Sequence, residues 1–289
     1  IAASLVAYLV IPEFGWRAAF FVGAVPALFA AALRIKVPES PRYLELNGRG
    51  DEAERIVSEL ERAAGVEPNP DGIHMEAPAK RPWYEEFKML WSKANIRSTA
   101  VLWVIWFGIN FGYYGFVLWT PSLLVEQGFD MVKSFGFTVI MCIAQLPGYF
   151  SAAILVERLG RKPTLIIYFL GTALASWFFG HADSENMILA TGCLLYFFAL
   201  GAWGCVYSYT PEVYPTDVRG SGNGWAAAFG RIGAFIAPFI VPAMYSAFGS
   251  DDGFMLVFAV LASAFAIVAI IIALFGKETK GQSLRDLSQ

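Results

Sequence analysis

Long runs of apolar residues alternate along this chain with short charged connections. The runs cover Trp16–Leu33, Ile96–Leu118, Ser134–Val156, Pro163–Gly180, Met187–Tyr209, Trp225–Phe248 and Phe254–Gly276. A helix rises about 1.5 Å per residue, so about 20 apolar residues cross a hydrocarbon core roughly 30 Å thick. Seven such runs predict an all-α polytopic membrane protein. A shorter apolar run, Ile1–Ile11, opens the chain without a Met or a basic start. It reads as the end of an earlier helix, not as a signal peptide. On this reading the chain is a piece of a longer protein.

The polar stretches organise the rest. The connection Arg34–Arg97 separates the first full run from the next six. Within it, Ala53, Ile56, Val57, Leu60 and Ala64 recur at helical spacing and Gly65 ends the pattern. Asp51 with Glu54 is the expected capping box of this amphipathic helix. Residues Glu67–Lys80 are rich in Pro, Asp and Gly and read as a linker. A second short helix is expected over Trp83–Lys93.

Charge placement sets an orientation. Eleven Lys and Arg fall in Arg34–Arg97, three in Glu157–Lys162, Arg219 alone in Thr210–Asn223, and three after Gly276. The opposite connections hold only Arg17 and Lys133. By the positive-inside rule the first set is cytoplasmic, and the alternation holds across all seven runs. The overall charge of −3 adds nothing to this. Only 16% of residues are charged, against about 25% in soluble domains. Cys142, Cys193 and Cys205 all lie in apolar runs, which argues against a disulfide framework. The two histidines, His74 and His181, fall in connections. With no metal-spaced cluster and no nucleophile elbow, an enzyme is not expected, nor is a cofactor or a nucleic-acid partner.

Four motifs stand at basic helix ends: Pro38-Glu39-Ser40-Pro41-Arg42, Glu157-Arg158-Leu159-Gly160-Arg161-Lys162, Pro211-Glu212-Val213-Tyr214-Pro215 with Arg219-Gly220, and Lys277-Glu278-Thr279-Lys280-Gly281. Each sets carboxylates beside guanidinium or ammonium groups, a combination that can pin neighbouring helix ends together and release them. In these motifs, and in their order, the chain resembles the major facilitator superfamily on its sugar-porter side. The motifs match those after the superfamily's sixth helix, between its eighth and ninth, between its tenth and eleventh, and after its twelfth.

The resemblance implies the major facilitator fold, here the C-terminal six-helix half plus helix six and the end of helix five. The corresponding divisions are 1–36, a central cytoplasmic segment 37–95, a six-helix bundle 96–276 and a tail 277–289. It also implies a cytoplasmic gate drawn from Glu39, Arg42, Glu157, Arg158, Arg161, Lys162, Glu212, Arg219 and Glu278. Helix seven lacks the Gln-Gln pair of sugar porters, and helix ten lacks their Pro-x-Pro-Trp stretch. Tyr113-Tyr114-Gly115, Leu146–Phe150 and Tyr207–Pro215 instead resemble the branch of metabolite–proton symporters, organic-ion transporters and synaptic-vesicle-2-like proteins. Cavity-lining helices of that fold would place Asn110, Tyr113, Tyr114, Gln145, Trp203, Tyr207 and Arg231 at a substrate. Arg231, read about two turns into its apolar run, is a functional candidate in its own right, because an ionisable group inside a membrane is costly.

The expected activity is secondary transport of a small organic metabolite, an organic or aromatic acid, by proton symport with alternating access. A sugar or organic-cation facilitator or antiporter of the same fold is the alternative. No Asp or Glu lies mid-span between Ile96 and Gly276. A proton-coupling carboxylate is therefore expected upstream, in helix one or four. The setting is the bilayer of a bacterial inner membrane, and the full-length protein is expected to be a monomer.

Overall fold

The computed structural model describes residues 2–26, 29–30, 34, 37–46, 48–67, 82–215, 218–248 and 250–281. Among these there is no strand. The helices are α1 (Ala2–Gly23), α2 (Pro41–Leu46), α3 (Gly50–Ala63), α4 (Trp83–Leu90), α5 (Ile96–Val117), α6 (Thr120–Glu126), α7 (Met131–Leu159), α8 (Arg161–Gly180), α9 (Glu185–Val213), α10 (Arg219–Phe248) and α11 (Ser250–Phe275). Seven of them, α1, α5 and α7 to α11, are long and apolar enough to cross a membrane. Two compact units are present: Ile1–Glu13 with Trp83–Gln289, and Phe14–Pro82.

In the larger unit α7 lies along α9, α5 along α10, and α8 along both α9 and α11. Lipid tails are as apolar as leucine, so helices associate in a bilayer where small residues let backbones approach. Gly148 is one such point: a Cβ there would stand 2.2 Å from the Phe197 carbonyl oxygen. Gly230 and Gly233 are another, where a Cβ would stand 2.8 Å from the Trp106 carbonyl and 2.6 Å from that of Phe107. Several buried hydroxyls are satisfied within their own helices. Thr138, Thr172 and Thr210 donate to the carbonyls four residues back at 2.7–2.8 Å, the local solution available to a polar group without water.

Sequence boundaries shift in three places. The parts of the first two runs that lie in α1, Ala2–Ile11 and Trp16–Gly23, are joined there as two helices that meet at a kink at Gly15 (φ 75°, ψ 169°). Positions 27–28 and 31–33 lie outside the described residues. Helix α3 starts at Gly50, with Arg49 before it and no side-chain cap, so Asp51 sits in the first turn and makes no capping box. What organises that end is Arg49, which grips Glu52 at 2.6 and 2.9 Å. This pair holds the Glu52 carboxyl below its usual range and the Arg49 guanidinium above its own. Gly65 ends the helix as expected, at φ 73°. Helix α4 stops at Leu90 instead of reaching Lys93, and turns fill 91–95 before α5. The linker from residue 68 onward lies outside the described residues.

Candidate functional site

One face of the bundle gathers aromatic rings from two helices, α5 and α9. Trp203 and Tyr207, one turn apart on α9, stack with centroids 5.5 Å apart and planes at 27°. Trp106 of α5 meets both edge-on, at 5.9 Å and 78° to Trp203 and at 5.5 Å and 84° to Tyr207. Tyr113, two turns further along α5, meets Trp203 at 5.9 Å and Tyr114 at 5.7 Å. Gln145 Nε2 on α7 donates to the Tyr113 hydroxyl at 3.5 Å. Arg231 Nη1 on α10 donates to the Tyr114 hydroxyl at 3.4 Å. Burial is graded across the group: Trp106 is 2% exposed, Trp203 7% and Tyr207 53%. The result is a packed aromatic wall with one open ring face and one cation beside it.

Six of the seven expected substrate residues thus form one connected set. Asn110 takes a different position. It is fully buried where α5 meets α10, and its amide nitrogen donates to the Trp106 carbonyl at 2.8 Å. A Cβ on Gly230 would stand 2.7 Å from that nitrogen. Arg231 lies twelve residues after the start of α10, roughly 18 Å along the axis. The apolar run placed it nearer the end because α10 begins at Arg219, six residues before Trp225. Trp106 was not among the expected residues; its one sequence signal is its place one turn before Asn110.

At the basic end of the bundle, charges from three connections converge. Arg161, the first residue of α8, grips Glu212 of α9 with Nε to Oε2 at 2.8 Å and Nη2 to Oε1 at 2.9 Å. Glu157 lies 3.3 Å from the same guanidinium. Glu278, just past α11, accepts the backbone N–H groups of Arg161 and Lys162 at 3.0 and 3.1 Å, and those of Thr279 and Lys280 at 2.9 Å each. A carboxylate there faces the positive end of the α8 dipole. Gly160 makes this possible: its φ of 107° suits glycine, and a Cβ would stand 2.7 Å from a Glu278 oxygen. Thr279 Oγ1 donates to Glu212 at 2.6 Å, and Lys280 Nζ to the Arg158 carbonyl at 2.7 Å. Tyr209 reinforces the cluster by donating to the Lys277 carbonyl at 2.8 Å.

Five of the nine gate candidates, Glu157, Arg158, Arg161, Glu212 and Glu278, therefore meet, joined by the Lys162 backbone. Arg219 stands at the first residue of α10. Glu39 precedes α2 in the smaller unit, and the Arg42 side chain lies outside the described residues. Thr279 and Tyr209 are members that the charge pattern missed, since hydroxyls carry no charge signal.

The family model "Sugar (and other) transporter" matches residues 2–289. The chain belongs to that family. Its helices follow the major facilitator fold: the xylose transporter XylE of E. coli, in a partially occluded inward-open conformation, superposes with a TM-score of 0.67 at 22% identity, over 98% of this chain and 60% of that one. The niacin transporter NiaP of Acinetobacter baylyi (strain ATCC 33305 / BD413 / ADP1) is 47% identical over 99% of this chain and 64% of its own length. The putative niacin/nicotinamide transporter NiaP of Bacillus subtilis (strain 168) is 40% identical over 98% and 63%. The chain thus spans somewhat less than two thirds of the curated relatives it matches. As a member of this family, with seven helices long and apolar enough to cross a membrane, the chain belongs to a multi-pass membrane protein.

Proposed function

We propose that the protein is a secondary transporter of a small aromatic carboxylate, with niacin as the first candidate. The observation that carries this is the pairing of a ring wall, Trp203 with Tyr207, with the Arg231 guanidinium on Tyr114. A flat heteroaromatic ring gains offset or edge contacts of about 0.5–1.5 kcal/mol per ring pair. A guanidinium gives a carboxylate two parallel charge-assisted hydrogen bonds. The name of the Acinetobacter relative supports the same substrate class, and that of the Bacillus relative adds the uncharged amide of the same ring. Without a Gln-Gln pair on α5, a sugar finds few polar partners here.

The mechanism is alternating access at this site, driven by protons. The basic end is cytoplasmic on this reading, with residues 37–95 as the cytoplasmic segment. The Arg161–Glu212–Glu278 cluster holds that end shut in one state and parts in the other. Coupling to protons requires a group that changes its proton affinity between states. The described membrane-spanning parts of α5 to α11 carry no mid-span carboxylate, so that group belongs upstream.

The test is uptake by the full-length protein in proteoliposomes, with and without an inward proton gradient. Labelled niacin should accumulate under the gradient, while nicotinamide and xylose should not. Uptake of xylose in preference to niacin would reverse the substrate reading, and niacin uptake indifferent to the gradient would remove symport.

A further inference from the structure

The ring wall has a back as well as a face. Trp106 is nearly inaccessible, so it cannot stack on a ligand, yet it touches both the exposed Tyr207 ring and the buried Trp203 ring stacked behind it. Both of its polar groups are engaged. Its indole Nε1 donates to Thr210 Oγ1 on α9 at 3.0 Å. Its carbonyl accepts the amide of Asn110 at 2.8 Å. Thr210 donates in turn to the Val206 carbonyl at 2.7 Å, which turns its oxygen lone pair toward the indole. An indole free to rotate about two side-chain torsions is thereby held edge-on to Trp203 and Tyr207.

We infer that Trp106 is a positioning residue for the substrate wall, and that its hydrogen bond to Thr210 sets the orientation in which Tyr207, backed by Trp203, receives an aromatic ligand. The inference rests on the transport reading above and names a residue pair within that same site. Removing the acceptor does two things. It leaves a buried N–H without a partner, which the indole relieves by turning. It also withdraws the edge that keeps the two rings parallel. The effect falls on ligand affinity more than on turnover, because neither Trp106 nor Thr210 belongs to the charge cluster at the basic end.

The experiment is niacin uptake by full-length Thr210→Val, Thr210→Ser and Trp106→Phe, each checked for a monodisperse folded peak. Thr210→Val keeps the side-chain shape and removes the acceptor; Thr210→Ser keeps the hydroxyl. Thr210→Val and Trp106→Phe should each raise KM about ten-fold with maximal rate held within about two-fold, and Thr210→Ser should match wild type. A structural role alone would lower the maximal rate and leave KM in place. That outcome, or equal behaviour of the Val and Ser variants, would overturn the inference. If Thr210→Val fails to fold, Trp106→Phe decides by the same split. Wild-type vesicles that take up no niacin would sink the transport reading and this inference with it; normal wild-type uptake with unchanged variants would sink this inference alone.

Discussion

Arg161 and Glu212, the first residue of α8 and the next-to-last of α9, face each other in a two-point pair with N···O distances of 2.8 and 2.9 Å. Their side chains are 17% and 22% exposed, so water screens them only in part. A lysine ammonium is a point charge and cannot reproduce the planar fork. Arg161→Lys should therefore lower stability by about 1 kcal/mol, and Arg161→Gln by about 1–3 kcal/mol. Thermal unfolding of the purified protein in detergent checks both. Equal melting temperatures for wild type and the Gln variant would show that the pair contributes nothing.

Glu278 accepts four backbone N–H groups, two of them at the start of α8. Glu278→Gln keeps the shape and removes the charge that faces the helix dipole. The expected loss is about 0.5–2 kcal/mol. Amide exchange should accelerate at Arg161, Lys162 and Thr164 before it does anywhere else in α8. Acceleration spread evenly along the helix would contradict a capping role.

Two glycines make opposite predictions. At Gly148 a methyl group would stand 2.2 Å from the Phe197 carbonyl oxygen, against backbone that cannot move aside without shifting α9. Gly148→Ala should destabilise by about 1–3 kcal/mol. At Gly224, inside α10, a Cβ meets nothing within 4 Å. Gly224→Ala should stabilise by about 0.4–1 kcal/mol. Melting temperatures that move in the same direction would refute the packing argument.

Arg231 should matter for both its charge and its planar fork. Arg231→Gln is expected to raise the niacin KM about 10- to 100-fold, the value of a hydrogen bond to a charged group. Arg231→Lys should fall between the two. Competition by an uncharged analogue of the same ring should be unaffected. A Gln variant that transports niacin normally would place the anion site elsewhere.

The spans and the charged ends were legible because a bilayer demands them: continuous apolar length, and cations sorted to one side. The Glu157–Lys162, Pro211–Pro215 and Lys277–Gly281 motifs therefore pointed to residues that do meet. Trp106 and Thr210 were not legible. In helices that are apolar all round, lipid-facing and neighbour-facing positions look alike, so periodicity does not say which ring faces which. Asp51 misled for a simpler reason. It is a good capping residue one position inside a helix whose start is organised by the Arg49–Glu52 pair. Arg231 lies further from the start of α10 than its apolar run indicates, because polar residues such as Ser221 and Asn223 extend the helix beyond that run.

The contact of Gly230 and Gly233 with the Trp106 and Phe107 carbonyls sets what kind of movement the bundle permits. With no side chain to act as a cushion, α5 and α10 bear on each other as two rods in direct contact. A push on Arg231 from one side, or on Trp106 from the other, displaces both rods as a single lever. Any rearrangement of the bundle then has to occur at the borders of this pair, and spin labels on Phe107 and Ile232 should keep a constant separation with and without ligand.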